Sequence, residues 1–226
     1  MLGHKTLWQR IAVLSAVILV ALVVWLVAQP RKSVAPHVLL VIWDCSKSAD
    51  HICNRVIPWG IRLFSQAPPD AKVVVCRMSR DTVTVVNFTR LPAPEKVQQD
   101  FPQLLSVEKQ RGTRPLTGVR YACQFAQRYK DWLVAVAMFT DGQNDYPADM
   151  QELRDACRAL VAMPNVVRIG LFGLDPLDRK SVADWEGCFS GSAKVMICTR
   201  HLGNTEEGIG EFCKLFGKDI ITSRAK

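Results

Sequence analysis

Apolar and polar positions alternate along this chain in two registers. Val38–Trp43, Trp132–Phe139 and Val166–Gly173 are short apolar runs without a two-residue rhythm, as strands buried on both faces of a sheet are. Between them, apolar residues recur at helical spacing. Ile52, Val56, Trp59 and Leu63 form one stripe. Val119, Ala122, Cys123 and Ala126 form a second, with Pro115 placed for a first turn. Met150, Leu153, Cys157, Leu160 and Val161 form a third. Val182, Trp185 and Phe189 form a fourth, and Ile209, Phe212, Cys213 and Phe216 a last. Residues 71–78 and 82–88 predict a hairpin, residues 95–101 a short helix, and residues 193–198 a further strand. Pro58 is expected to kink the first helix. Asn204 followed by Glu207 is spaced like a capping box. Strands alternating with helices predict an α/β fold: a doubly wound, mostly parallel sheet with helices on both faces.

One apolar run is of another kind. Residues 11–28 carry no charge and are long enough to cross a bilayer, with Lys5 and Arg10 before them and Arg31 and Lys32 after. The competing reading is a cleaved signal peptide, but Leu26 is a poor residue three before a cut after Ala28. The expected organisation is a tail (1–10), a transmembrane helix (11–28), a linker (29–36), a folded domain (37–218) and a C-terminal tail (219–226). The flanking charges specify orientation weakly. The expected form is a single-pass membrane protein with its domain outside the cytoplasm.

Hydrophobic residues make up 49% of the 226, which argues against disorder. The net charge of +8 admits nucleic acid, anionic lipid or acidic proteins as partners. Nucleic acid is not expected, because no zinc-finger spacing, ribonucleoprotein motif or long basic run is present. The eight cysteines contain no CxxC pair, which excludes zinc-ribbon and thioredoxin-type readings. Most sit at apolar positions and are expected to be free and buried. A single bridge involving Cys188 stays open if the domain is exported.

Three polar clusters fall where strands end. Asp44, Ser46 and Ser48 alternate after the first strand, Gly112-Thr113 precedes a helix, and Asp141-Gly142 follows the run 132–139. Ligands of open α/β sheets bind at the carboxyl ends of strands. Carboxylate and hydroxyl oxygens suit a hard cation such as Mg²⁺ and do not call for zinc. Taken singly, each cluster is an ordinary capped turn.

Together, Asp44-x-Ser46-x-Ser48, Gly112-Thr113 and Asp141-Gly142 resemble the metal-ion-dependent adhesion site of the von Willebrand factor type A (VWA) family, particularly its membrane-anchored bacterial members. The resemblance covers about residues 37–218. It implies a metal site formed by Asp44, Ser46, Ser48, Thr113 and Asp141. Mg²⁺ is the expected cofactor, with Mn²⁺ or Ca²⁺ as alternatives, and a protein partner would present an Asp or Glu to the metal. Lys47, Lys109, Arg111 and Arg114 border this face and would form a basic rim. The function implied is adhesion, scaffolding or complex assembly rather than catalysis.

His37 and His51 lack a base–orienter pair and are expected at the surface or in caps. Cys45 has no evident histidine partner to activate it and is expected to be a buried strand-end residue. Two alternatives stay open. One is a metal-dependent hydrolase on a similar sheet, although Ser46 stands where a haloacid-dehalogenase-like enzyme has its second Asp. The other is a VWA-like structural module without metal.

Overall fold

The computed structural model describes residues 36–46, 49–78, 80–81, 83–88, 95–99, 112–189, 191–199 and 202–224. The chain divides into two units, Met1–Val34 and Ala35–Lys226. The first, with the expected transmembrane segment 11–28, lies outside the described residues. No helix among the described residues is long and apolar enough to cross a membrane.

The second unit runs β1 (His37–Asp44), α1 (Asp50–Gln66), β2 (Lys72–Met78), β3 (Val83–Phe88), α2 (Pro115–Arg128), β4 (Leu133–Phe139), α3 (Met150–Ala162), β5 (Val166–Leu174), α4 (Arg179–Phe189), β6 (Val195–Thr199) and α5 (Leu202–Arg224). A 3₁₀ turn, Pro147–Asp149, leads into α3. The six strands form one sheet in the order β3-β2-β1-β4-β5-β6. Five are parallel, and β3 returns antiparallel against β2, with Val73 opposite Phe88. The α/β, mostly parallel architecture is therefore as the apolar pattern predicts.

β1 is buried at all eight positions, because both faces of the sheet are covered and neither side of the strand meets water. Leu40, Ile42, Val136 and Met138 pack with Val119, Ala122, Leu153 and Trp185 of α2, α3 and α4. On the other face, between β1, β4, β5, α1 and α5, an aromatic row fills the core. Trp43 stacks on Phe139 at 3.8 Å between ring centroids, Phe139 meets Phe172 at 5.2 Å, and Phe172 meets Phe212 edge-on at 5.7 Å. α1 runs through Pro58, whose ring is exposed while Trp59 beside it is buried. The hydrogen bond that proline cannot make thus falls on the solvent side.

Two expectations about the last helix need correcting. α5 begins at Leu202, so Asn204 lies inside its first turn rather than at a cap. It also continues to Arg224, and the boundary drawn at 218 falls within it. Ile220 is buried, and Asp219 accepts hydrogen bonds from Arg168 of β5 at 2.5 and 3.1 Å. These contacts fasten the final turns to the sheet.

The strand order places the site. The chain leaves β1 towards β2 and β3 on one side, then returns to β4 on the other. β1 and β4 lie side by side, with Trp43 opposite Phe139, and the crevice beyond their carboxyl ends is the point where the winding reverses.

Candidate metal centre

Asp44 closes β1 and Asp141 follows β4 by two residues, so the topology brings both acids to that crevice. Thr113 arrives from the segment before α2. Asp44, Ser46, Thr113 and Asp141 are all at most 3% exposed. The Thr113 hydroxyl donates to Ser46 Oγ at 2.7 Å across 67 residues of sequence. Four of the five residues expected to hold a metal are therefore in one buried cluster or at its edge. The fifth, Ser48, lies outside the described residues.

Local turns aim these groups. The Ser46 backbone N–H donates to Asp44 Oδ1 at 2.9 Å, and the Gln143 N–H donates to Asp141 Oδ1 at 3.0 Å. Each is the turn that an aspartate makes with the residue two places on. Cys45 N–H donates to Met78 O at 2.9 Å, which carries the β1–β2 ladder into the loop. Gly142 has φ +84°, and a Cβ there would approach Leu174 Cδ2 to 2.5 Å. Only glycine combines that backbone with so close an approach. Gly112, before Thr113, also has positive φ, at +90°.

Burial dominates the electrostatics. The Asp44 carboxyl is pushed up to about 6, first by removal from water and then by the charge of Asp141. Hydrogen bonds from Ser46 and Thr140 oppose the rise without cancelling it. Two acids are thus held close together in a dry place.

Two contributors were not anticipated from sequence. Thr140 Oγ1 donates to Asp44 Oδ2 at 2.9 Å and accepts from the Gly142 N–H at 3.1 Å, so one hydroxyl ties both acid loops together. Asp145 Oδ2 accepts from the Thr113 N–H at 2.7 Å, and the Asp145 N–H donates to Thr113 O at 3.1 Å. This pair of bonds fixes the threonine. Both residues lie in "FTDGQND", where the sequence shows polar turn residues but not which loop they reach.

The rim expectation meets a different fate. Lys47, Lys109 and Arg111 lie outside the described residues. Arg114 Nε donates to Asp149 at 2.6 Å, and its guanidinium lies 5.5 Å from the Tyr146 ring centroid. Arg80 lies 5.2 Å from the same ring.

The histidine and cysteine expectations also resolve. His37 is buried rather than at the surface. Its Nε2 bonds to Asp70 Oδ1 at 3.0 Å, and it sits at the opposite end of β1 from Asp44, on the order of 23 Å away at strand rise. Cys45 is buried, with its thiol 3.8 Å from Trp43 O. The side chain of His51 lies outside the described residues. Among the described residues there is no cluster of three or more His, Cys, Asp or Glu side chains that could hold a metal. The donor set here is instead half carboxylate and half hydroxyl, oxygen throughout, which fits Mg²⁺.

Beside the centre lies a cavity of about 400 Å³, whose walls include Gly142, Asp145, Met150, Asp178, Trp185 and Cys188. Trp185 Nε1 donates to Gly142 O at 3.1 Å, which joins α4 to the loop of Asp141.

No family model matches the sequence, and no curated protein matches it. Solved structures do match. A von Willebrand factor type A protein from Catenulispora acidiphila superposes with TM-score 0.57 at 14% identity, over 81% of this chain and 43% of that one. The pilus adhesin SpaC from Lactobacillus rhamnosus GG, in its open conformation, gives 0.57 at 14%, over 84% of this chain and 30% of that one. An aerotolerance-related membrane protein from Bacteroides fragilis gives 0.55 at 13%, over 80% and 99%. The fold is that of VWA-type domains. This chain spans less than half the length of the first two proteins.

Proposed function

We propose that this chain is a membrane-anchored VWA-type domain that holds a divalent cation through Asp44, Ser46, Ser48, Thr113 and Asp141 and uses it to bind an acidic residue of a protein partner. The observation that carries the reading is the burial of Asp44 and Asp141 together, at 3% and 1% exposure, among hydroxyl oxygens. Two carboxylates so placed repel each other and have lost most of their water, and a divalent cation relieves both penalties. A cation bound there supplies coordination positions that a partner's carboxylate can complete. The chain's own residues set the geometry: Thr140 and Asp145 hold the three loops in register, and Gly142 lets the Asp141 turn approach Trp185.

Binding fits the site better than catalysis. The side chains described there are carboxylates and hydroxyls, with no histidine–carboxylate pair to move a proton. The adhesin and the membrane-protein neighbours suit a role in adhesion or in assembling an envelope complex, an analogy at the level of the fold. Anchoring through residues 11–28, with the domain outside the cytoplasm, belongs to the same proposal.

A metal-free structural module is the competing reading, favoured by the Thr113–Ser46 hydrogen bond, in which two expected ligands satisfy each other. Titration calorimetry of the full-length protein in detergent with Mg²⁺ and Mn²⁺ separates the two. The proposal expects saturable binding that disappears in Asp141→Ala, and a partner recovered by pull-down without EDTA but not with it. An absence of binding in the folded wild type favours the structural module.

A further inference from the structure

The cavity beside the candidate metal centre has a chemistry of its own. It opens between the starts of α2 and α3 and one side of α4, at the carboxyl end of the sheet. Part of its wall is apolar: Pro115, Leu153 and Trp185 are buried there, and Met150 is half-buried. The rest is mainly acidic. Asp145, Asp178 and Asp184 line it, and the one basic residue in the same wall is Lys180. A chain with a net charge of +8 thus presents a negative cavity.

The contacts of the three acids do little to offset that charge. Asp178 accepts from the Ser181 hydroxyl at 2.6 Å and the Ser181 N–H at 3.0 Å. Asp145 Oδ2 accepts from the Thr113 N–H. These donors are uncharged, so they satisfy oxygens without cancelling the charge. Asp184 meets Arg154 only at 3.9 Å, with both side chains partly exposed, so that pair offsets little. A side chain that suits both parts of the wall needs an apolar stem and a positive head, as Lys and Arg have. Arginine suits it better. Its fork of five N–H donors serves carboxylates on several sides, and a guanidinium is more weakly hydrated than an ammonium.

The cavity adjoins the metal loop. Gly142, the residue after Asp141, is part of its wall, and Trp185 Nε1 donates to Gly142 O. A partner whose carboxylate completes the coordination of a cation therefore has the cavity within reach of its neighbouring residues, at about 3.3 Å per residue of extended chain.

We propose that this cavity takes an arginine side chain of the protein partner, so that the partner's recognition segment carries an acid for the cation and, close to it in sequence, an arginine for the cavity. The pairing with an acid rests on the metal-binding reading; the preference of the cavity for a guanidinium does not.

The test uses the full-length protein in detergent, labelled with nitrogen-15. The Trp185 indole N–H signal, identified by its loss in Trp185→Phe, reports on the cavity. The probe is n-butylguanidinium, a stand-in for the arginine side chain, and n-butylurea is its neutral isostere. With Mg²⁺ present, n-butylguanidinium is expected to shift the signal saturably and to bind at least about tenfold tighter than n-butylurea, as charge-assisted contacts do against neutral ones. n-Butylammonium falls between them. The double variant Asp178→Asn, Asp184→Asn loses the preference, while asparagine at 178 still accepts from the Ser181 N–H. If that variant does not fold, Asp184→Asn alone is expected to weaken n-butylguanidinium about threefold, by loss of one of the three charges. Equal binding of n-butylurea overturns the proposal, as does a signal that neither probe moves. Binding seen in EDTA but abolished by Mg²⁺ also overturns it, because the probe then sits on the metal carboxylates. The pairing is tested with acetylated peptides in which glycines separate one aspartate from one arginine, in either order. With Mg²⁺, one spacing is expected to bind at least about tenfold tighter than the same peptide with norleucine for arginine, and to lose that gain in EDTA. Equal affinities of arginine and norleucine peptides at every spacing overturn the pairing. An arginine preference that EDTA leaves unchanged removes the metal-binding reading and leaves the cavity assignment standing.

Discussion

His37 and Asp44 are the two ends of one strand, and each buries an ionisable side chain. At the first end, His37 meets Asp70, whose carboxylate is 60% exposed, so water stabilises the partner and the pair is ordinary. At the second end, Asp44 meets Asp141, an acid buried like itself, whose charge adds to the cost of burial. The same strand thus ends once against a solvent-exposed acid and once against a second buried acid, where a bound cation would offset the like charges. Burial alone does not separate structural from functional polar groups. The character of the partner does.

The comparison can be broken most sharply at the acid end. Asp44→Ala and Asp141→Ala are each expected to abolish measurable Mg²⁺ binding, while circular dichroism shows the fold retained. Retained affinity in either variant would place the cation elsewhere.

Next in size is the effect of acid on the metal-free protein. The folded-state value for Asp44 is raised, from 3.8 to about 6, so the folded state holds this proton more tightly than the unfolded chain. Its contribution to stability is therefore greatest below about pH 4. It is lost as pH rises to about 6, and above that it changes no further. The shift of about 2 units corresponds to roughly 3 kcal/mol. Asp44→Asn, which carries no charge, should make the EDTA-treated protein more stable than wild type at pH 7, with the gain shrinking towards pH 4. Urea melts at the two pH values check this. A gain that is independent of pH would assign the shift to another group.

Thr140→Val should act more mildly. It removes the donor to Asp44 Oδ2 and the acceptor for Gly142, at about 1–2 kcal/mol of stability, and weakens Mg²⁺ binding by about tenfold, as loss of a ligand-orienting group does. Calorimetry and melts on the same sample separate the two effects. The smallest change is expected at the other end of β1. Asp70→Asn loses an exposed partner, so it should cost under about 1 kcal/mol and leave Mg²⁺ affinity untouched.

Much of this was legible in the sequence, for physical reasons. β1 and β4 are central and covered on both faces, so their residues are nearly all apolar and the pattern announces them. Asp44, Ser46, Thr113 and Asp141 stand at strand ends or a helix entry, where topology alone brings them together. The parts that were not legible depend on side-chain direction. Nothing local says that Thr140 turns towards Asp44, that Asp145 reaches Thr113, or that Arg114 turns to Asp149. The end of α5 was missed for another reason. Ile220 continues the stripe of Phe212 and Phe216, but the ion pair that fastens the final turns joins Asp219 to Arg168, 51 residues away in sequence.

β1 also has a mechanical meaning. It is the strand next in sequence to the proposed anchor, and its far end carries Asp44, where the proposed partner binds. In the tethered form, tension between partner and membrane would run along these eight residues. β1 is hydrogen-bonded to β2 on one side and β4 on the other, so the load would be shared sideways as shear across two ladders. A bond in shear across several rungs yields only when many rungs fail together, whereas an edge strand peels one rung at a time. A domain wired in this way can hold its partner against a pull without drawing on the helices that surround the sheet.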